Sequence, residues 1–191
     1  MSTLRERISA AAQELYLREG IEGLSMRKLA EVVGVSATAL YRHYGNKDEI
    51  LHEIVMEGLK ILEGYVRPAL EAPGPREKLQ LLIRHYLDFA LEQPKYFDFA
   101  FMLPSRMLHQ LPDEFERQAS VTFKLAVYTV GECMECGVLR RDEPLRAALT
   151  LWAHLHGLVT LYRAGRLGND PEQFRATYHE SVERLLRGLA P

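Results

Sequence analysis

Gly34-Val35-Ser36 lies between two short segments of helical periodicity and constrains the fold more than any other stretch of the chain. Upstream of it, Met26, Leu29, Ala30 and Val33 fall on one helical face, and Ser25 stands where an N-cap belongs. Gly34 supplies the left-handed backbone step that ends such a helix and turns the chain sharply. Val35 plugs the angle, and Ser36 caps a second helix predicted over Ala37 to Tyr44, with Leu40 and Tyr44 pointing inward. Thr38, Tyr41 and Arg42 are three and four apart and share another face. A hydroxyl, an amphipathic ring and a guanidinium make a poor core but suit a groove lined by phosphates and base edges. The pattern is a helix-turn-helix, and the partner it implies is double-stranded DNA.

The rest of the chain reads as helices. Thr3 with Glu6 forms a capping box for a bracing helix that carries Leu4, Ile8, Ala11, Ala12 and Leu15 and runs to Gly20. Asn46 with Glu49 starts a long helix to about Tyr65. Pro68 and Glu71 to Pro75 form the one clear linker. Further helices are predicted from Pro75, from Pro94 to about Leu103, from about Pro112 to Cys136, from Leu145 to Arg166, and from Pro171 to about Leu189, with an irregular loop over Pro104 to Pro112. No segment alternates with a period of two. The expectation is an all-α protein of about nine helices: a three-helix helix-turn-helix domain over residues 1–47, and a C-terminal helical domain over 48–191.

The net charge of -2 argues against a nonspecific nucleic-acid coat protein but permits a local basic face. Between Ser25 and Lys47 only Glu31 opposes Arg27, Lys28, Arg42 and Lys47. No apolar run approaches the roughly twenty residues that span a bilayer, and the N-terminus lacks a signal-peptide pattern. The expectation is a cytoplasmic protein with no membrane partner.

Gly34-Val35-Ser36 followed by Leu40-Tyr41-Arg42-His43-Tyr44-Gly45-Asn46-Lys47 resembles the N-terminal signature of TetR-family transcriptional regulators, over Leu4 to about Ile54. Ala39, where many members carry Thr, and Tyr44, where Phe is commoner, depart from that signature. Trp152-Ala153-His154-Leu155-His156-Gly157 is similar to the Trp…His-Gly motif of one class of C-terminal domains in the same family. The resemblance implies a homodimer, an effector pocket in the C-terminal helices, and repression relieved by a small molecule.

On the recognition helix, Thr38 and Arg42 are the candidate base readers, and Tyr41 would set its hydroxyl on phosphate and its ring against sugar or a thymine methyl. His43 and Lys47 read as phosphate positioners, in agreement with the family motif. Lys47 opposes the helix dipole in its first turn, which disfavours a purely stabilising role. Ser25, Arg27 and Ser36 lie at helix N-termini suited to phosphate, although capping alone accounts for the two serines.

The candidate effector lining is Tyr86, Phe89, Phe97, Phe101, Met102, Met107, Phe123, Trp152 and His156, a set of flat and flexible side chains suited to a mostly apolar ligand. For Trp152 and His156, four apart on one face, a pairing of ring against imidazole stands beside ligand contact. The helix from Leu145 to Tyr162 is apolar on two faces and must be covered on both. The last helix supplies one cover and a two-fold partner the other, giving a candidate interface of Leu151, Leu155, Leu158, Tyr162, Tyr178, Val182 and Leu185. Cys133 and Cys136 lie at a helix C-terminal end, where the dipole does not activate thiols, and no second pair completes a metal site. No nucleophile–base pair, carboxylate pair or phosphate-binding glycine loop suggests an enzyme, and no cofactor is implied. The alternatives are a DNA-binding regulator without any small-molecule effector and, from a different class, a helical enzyme.

Overall fold

Side-chain caps set the helix starts. Thr3 Oγ1 accepts from the Glu6 amide at 3.2 Å, and Glu6 Oε2 accepts from the Thr3 amide at 2.8 Å, closing the expected capping box. In the computed structural model, which describes residues 3–103 and 120–191, α1 runs over Leu4–Gly23 with a break at Gly20, α2 over Met26–Val33, α3 over Ala37–Tyr41 and α4 over Lys47–Val66. A 3₁₀ turn over Arg67–Glu71 precedes α5 (Pro75–Glu92) and α6 (Pro94–Phe101). Then come α7 (Val121–Glu135), α8 (Pro144–Arg163) and α9 (Pro171–Leu189). Among the described residues the chain is all-α, and no helix is long and apolar enough to cross a membrane.

The described residues divide into two compact units, residues 3–60 with 95–103 and residues 61–94 with 120–191. In the first, Ile8, Ala12 and Leu15 of α1 meet Leu29, Leu40, Tyr44, Ile50 and Ile54, with Phe99 of α6 in the same core. Gly58 lets α6 come close: a Cβ there would lie 2.8 Å from the Tyr96 carbonyl oxygen and 3.0 Å from the Ala100 nitrogen. In the second, α5 packs on α7 and α8, and α8 on α7 and α9. Tyr178 donates its hydroxyl to the Ile83 carbonyl at 3.2 Å, and an Arg175–Asp88 ion pair also ties α9 to α5. Residues 47–60 of the unbroken α4 belong to the first unit and residues 61–66 to the second.

Several boundaries differ from the sequence expectation. The recognition helix stops at Tyr41, not Tyr44: His43 and Tyr44 both donate to the Leu40 carbonyl, which tightens the last turn. The helix predicted to Arg166 ends at Arg163 because Gly165 takes a left-handed φ of 69°. The linker segment after Pro68 is partly helical, with Ala69 buried. Met107 and the predicted 104–112 loop lie outside the described residues.

Candidate nucleic-acid interface

The turn between α2 and α3 is built as its residues dictate. Gly34 adopts φ 75° and ψ 38°, the Val35 amide donates to the Ala30 carbonyl at 2.9 Å, and the Gly34 amide to Glu31 at 3.2 Å. Arg7 adds a tie that periodicity does not reveal, donating from Nη2 to the Val33 carbonyl at 2.7 Å. Ser36 Oγ accepts from the Ala39 amide at 3.1 Å and Ser25 Oγ from the Lys28 amide at 3.2 Å, so both serines are engaged as caps.

Leu40 and Tyr44 are buried while Thr38, Tyr41, Arg42 and His43 are exposed, Tyr41 with 54% of its surface open. An aromatic ring left in solvent on so short a helix is at odds with packing and in keeping with a surface that meets a partner. Ser25, Arg27 and Ser36 are also exposed, and Lys47 is half-buried in the first turn of α4. Lys28 is neutralised by Glu19, whereas among the described residues no ion pair involves Arg27, Arg42 or Lys47. The start of α4 is fixed by Asn46 Oδ1, which accepts from the Glu49 amide at 3.0 Å, and by Glu49 Oε2, which accepts from the Gly45 amide at 2.8 Å. The result is a fixed surface bearing hydroxyl, phenol and guanidinium groups, flanked by imidazole and ammonium.

The candidate effector residues divide between the units. Phe97 and Phe101, with ring centroids 5.1 Å apart, and the exposed Met102 belong to the first. Tyr86, Phe89, Phe123, Trp152 and His156 belong to the second. There the Tyr86 hydroxyl lies 2.9 Å from His156 Nδ1 and is also hydrogen-bonded to Trp152. Trp152 meets Phe123 edge-on at 5.6 Å and His156 at 5.5 Å. Burial pushes the Tyr86 phenol well up and the His156 imidazole down, so both are held neutral. Phe89 is fully buried against Tyr65, 5.7 Å away. A separate cleft of about 550 Å³ in the second unit, between Arg76, Leu79, Val138, Leu186 and Arg187, is lined by none of the candidate effector residues.

The candidate interface needs correction. Leu151, Leu155, Tyr178 and Val182 are buried inside this chain: α5, α7 and α9 pack on α8, and Tyr178 is bonded to Ile83 of α5. Leu158, Tyr162 and Leu185 are half-buried, and Tyr162 stacks on Phe174 at 4.1 Å. What α8 leaves open is a different stripe: Leu149 and Leu161, 40% and 46% exposed, with Ala153 exposed and Gly157 half-buried between them. Cys133 is buried, donates to the Pro75 carbonyl at 3.2 Å, and has its thiol pushed up to about 11 by burial and Glu132, the state of an inert core sulfur. Cys136 is exposed.

Residues 8–54 match the family model described as bacterial regulatory proteins, tetR family, and residues 79–189 match that described as tetracyclin repressor-like, C-terminal domain. An uncharacterized HTH-type transcriptional regulator of Bacillus subtilis, YobS, is 26% identical over 94% of this chain and 88% of its own length. Among solved structures, the TetR-family transcriptional regulator PfmR of Thermus thermophilus is 25% identical with a TM-score of 0.67, over 95% of this chain and 97% of that one. AibR, solved with isovaleryl coenzyme A and operator DNA, shares the fold at 18% identity with a TM-score of 0.66, over 99% of each chain.

Proposed function

The chain belongs to the TetR family of bacterial transcriptional regulators, and from that premise we propose that it is a repressor that binds a palindromic operator as a homodimer and is released by a mostly apolar small molecule. The observation that carries the DNA half is the exposed Thr38–Tyr41–Arg42 face of α3 behind a fully formed turn. Thr38 and Arg42 read base edges, Tyr41 packs on the backbone, and Arg27, His43 and Lys47 position phosphates, with the N-terminal turns at Ser25 and Ser36 beside them. Two such helices enter successive major grooves about 34–36 Å apart in a symmetric dimer.

The dimer surface is the open stripe of α8, Leu149, Ala153, Gly157 and Leu161, where small side chains let a partner helix approach. The effector site lies among the second unit's aromatic residues, Phe89, Phe123 and Trp152, with Tyr86 and His156 as its polar pair. AibR, solved with isovaleryl coenzyme A and operator DNA, is a protein of the same fold that takes both a small molecule and DNA. Ligand binding would shift α4, which has residues in both units, by as much as the ligand's preference between the two states allows.

The test is binding of purified protein to a duplex selected from a random-sequence pool. Arg42→Ala is expected to lose about 1–3 kcal/mol of discrimination at one base position. Lys47→Ala is expected to weaken binding to all sequences and to lower the salt slope by about one phosphate contact. A protein that enriches no duplex refutes the DNA reading. A failure of all apolar compounds to stabilise the protein or release the duplex leaves a regulator without an effector.

A further inference from the structure

At five residues, α3 is too short to hold its own direction in a groove, and what anchors its far end is side-chain chemistry. Tyr44 is 1% exposed and donates its hydroxyl to Glu53 Oε1 at 2.9 Å. The other oxygen of the same carboxylate takes Arg5, at 2.8 Å from Nε and 2.6 Å from Nη2. The Arg5 guanidinium lies over the Tyr44 ring, 4.9 Å from its centroid, closing the triangle. One carboxylate thus joins α1, the segment that follows α3, and α4. The ring of Tyr44 would fill its place in the core without a hydroxyl, so the hydroxyl adds direction and not volume. Two residues after Arg5, Arg7 holds the end of α2 through the Val33 carbonyl, so the first turns of α1 hold the helix-turn-helix at its turn and just beyond its second helix.

We propose that Arg5, Glu53 and Tyr44 are positioning residues for DNA recognition: their triangle sets the direction of α3 against α4 and makes α3 follow α4 when α4 moves. The inference rests on α3 being the DNA-reading helix, and none of the three residues is required to touch DNA. A hydrogen bond to a charged group is among the stronger ties a side chain makes, and it constrains angle as well as distance. Loosening it should blur the geometry of base contacts while leaving phosphate attraction alone.

The experiment uses the full chain as wild type, Tyr44→Phe, Glu53→Ala and the double variant. Each is titrated by fluorescence anisotropy against a duplex that the wild type selects from a random pool, and against poly(dI-dC). Tyr44→Phe is expected to weaken the selected duplex roughly tenfold and to leave the nonspecific polymer and the salt slope unchanged. The double variant is expected to be no weaker than Glu53→Ala, because Glu53→Ala already removes the tie that Tyr44→Phe removes. Glu53→Gln, which keeps an acceptor for Tyr44, should recover part of the loss. A purely structural role would lower thermal stability and weaken both duplexes alike, and that result overturns the proposal. So does a Tyr44→Phe protein with wild-type affinity for the selected duplex. If the wild type selects nothing, the DNA reading itself falls and takes this one with it.

Discussion

Tyr86 and His156 meet at 2.9 Å with Trp152 bonded to the same phenol, so three side chains of the Trp…His-Gly segment and α5 satisfy one another. Burial sets the behaviour of this cluster with pH. The His156 imidazole is held below its ordinary value near 6.5, first and only by burial, and His179 is lowered by burial and then by Arg84 and Arg175. Well above about pH 6.5 neither the folded nor the unfolded chain carries the extra proton, and this contribution to stability is at its full value. As pH falls below that, the unfolded chain takes up protons that the folded imidazoles resist, so stability is lost on the acid side. Thermal melts between about pH 7 and pH 5 should show the wild-type melting temperature falling, with a smaller fall in His156→Gln. His179, lowered in the same direction, contributes to the slope that remains. Equal slopes in the two proteins would show that His156 is not held neutral by its surroundings. At this scale the sequence disclosed the pairing of Trp152 with His156, four residues apart on one helix, but not Tyr86 on α5, which only folding brings to them.

Among elements, glycines separate what a local pattern shows from what it hides. Gly34 is legible from sequence because its left-handed backbone serves the turn in which it sits. Gly58 is not: it lies mid-helix in α4, where glycine costs about 1 kcal/mol against alanine on propensity alone. Its reason is the backbone of α6 at Tyr96 and Ala100, about forty residues away in the chain. Gly58→Ala therefore reverses the usual expectation for a helix. The added methyl group should push α6 from α4 and destabilise the first unit by about 1–3 kcal/mol, read as a lower midpoint in urea. A stabilised variant would mean that α6 yields at no cost. Helix starts were the most legible boundaries, since Thr3, Ser25, Ser36 and Asp170 cap through bonds two or three residues away. The end of α3 was less so, because the tightening at Leu40 depends on Tyr44 being drawn into the core and onto Glu53.

For the whole molecule, the proposed dimer turns on the side of α8 that this chain leaves uncovered. Leu155 and Leu161 are both leucines of one amphipathic pattern, yet 6% and 46% of their surfaces are exposed. An arginine at Leu155 would be an unpaired charge in the core and should abolish folding. Leu161→Arg should leave the fold and melting profile nearly intact while shifting the protein from dimer to monomer in sedimentation and weakening its hold on a palindromic duplex. A dimeric Leu161→Arg protein would place the interface elsewhere.

Composition, periodicity and capping residues by themselves determined the all-α class, the helix-turn-helix and the outward face of α3, because each depends on neighbours within a few positions along the chain. The tertiary structure alone decided which apolar face of α8 is core, which aromatic residues share a unit, and that Arg5 and Glu53 hold Tyr44. Periodicity says that a face must be buried and is silent on what buries it. That choice is made by contacts between residues far apart in the chain, where packing and paired charge outweigh any local preference.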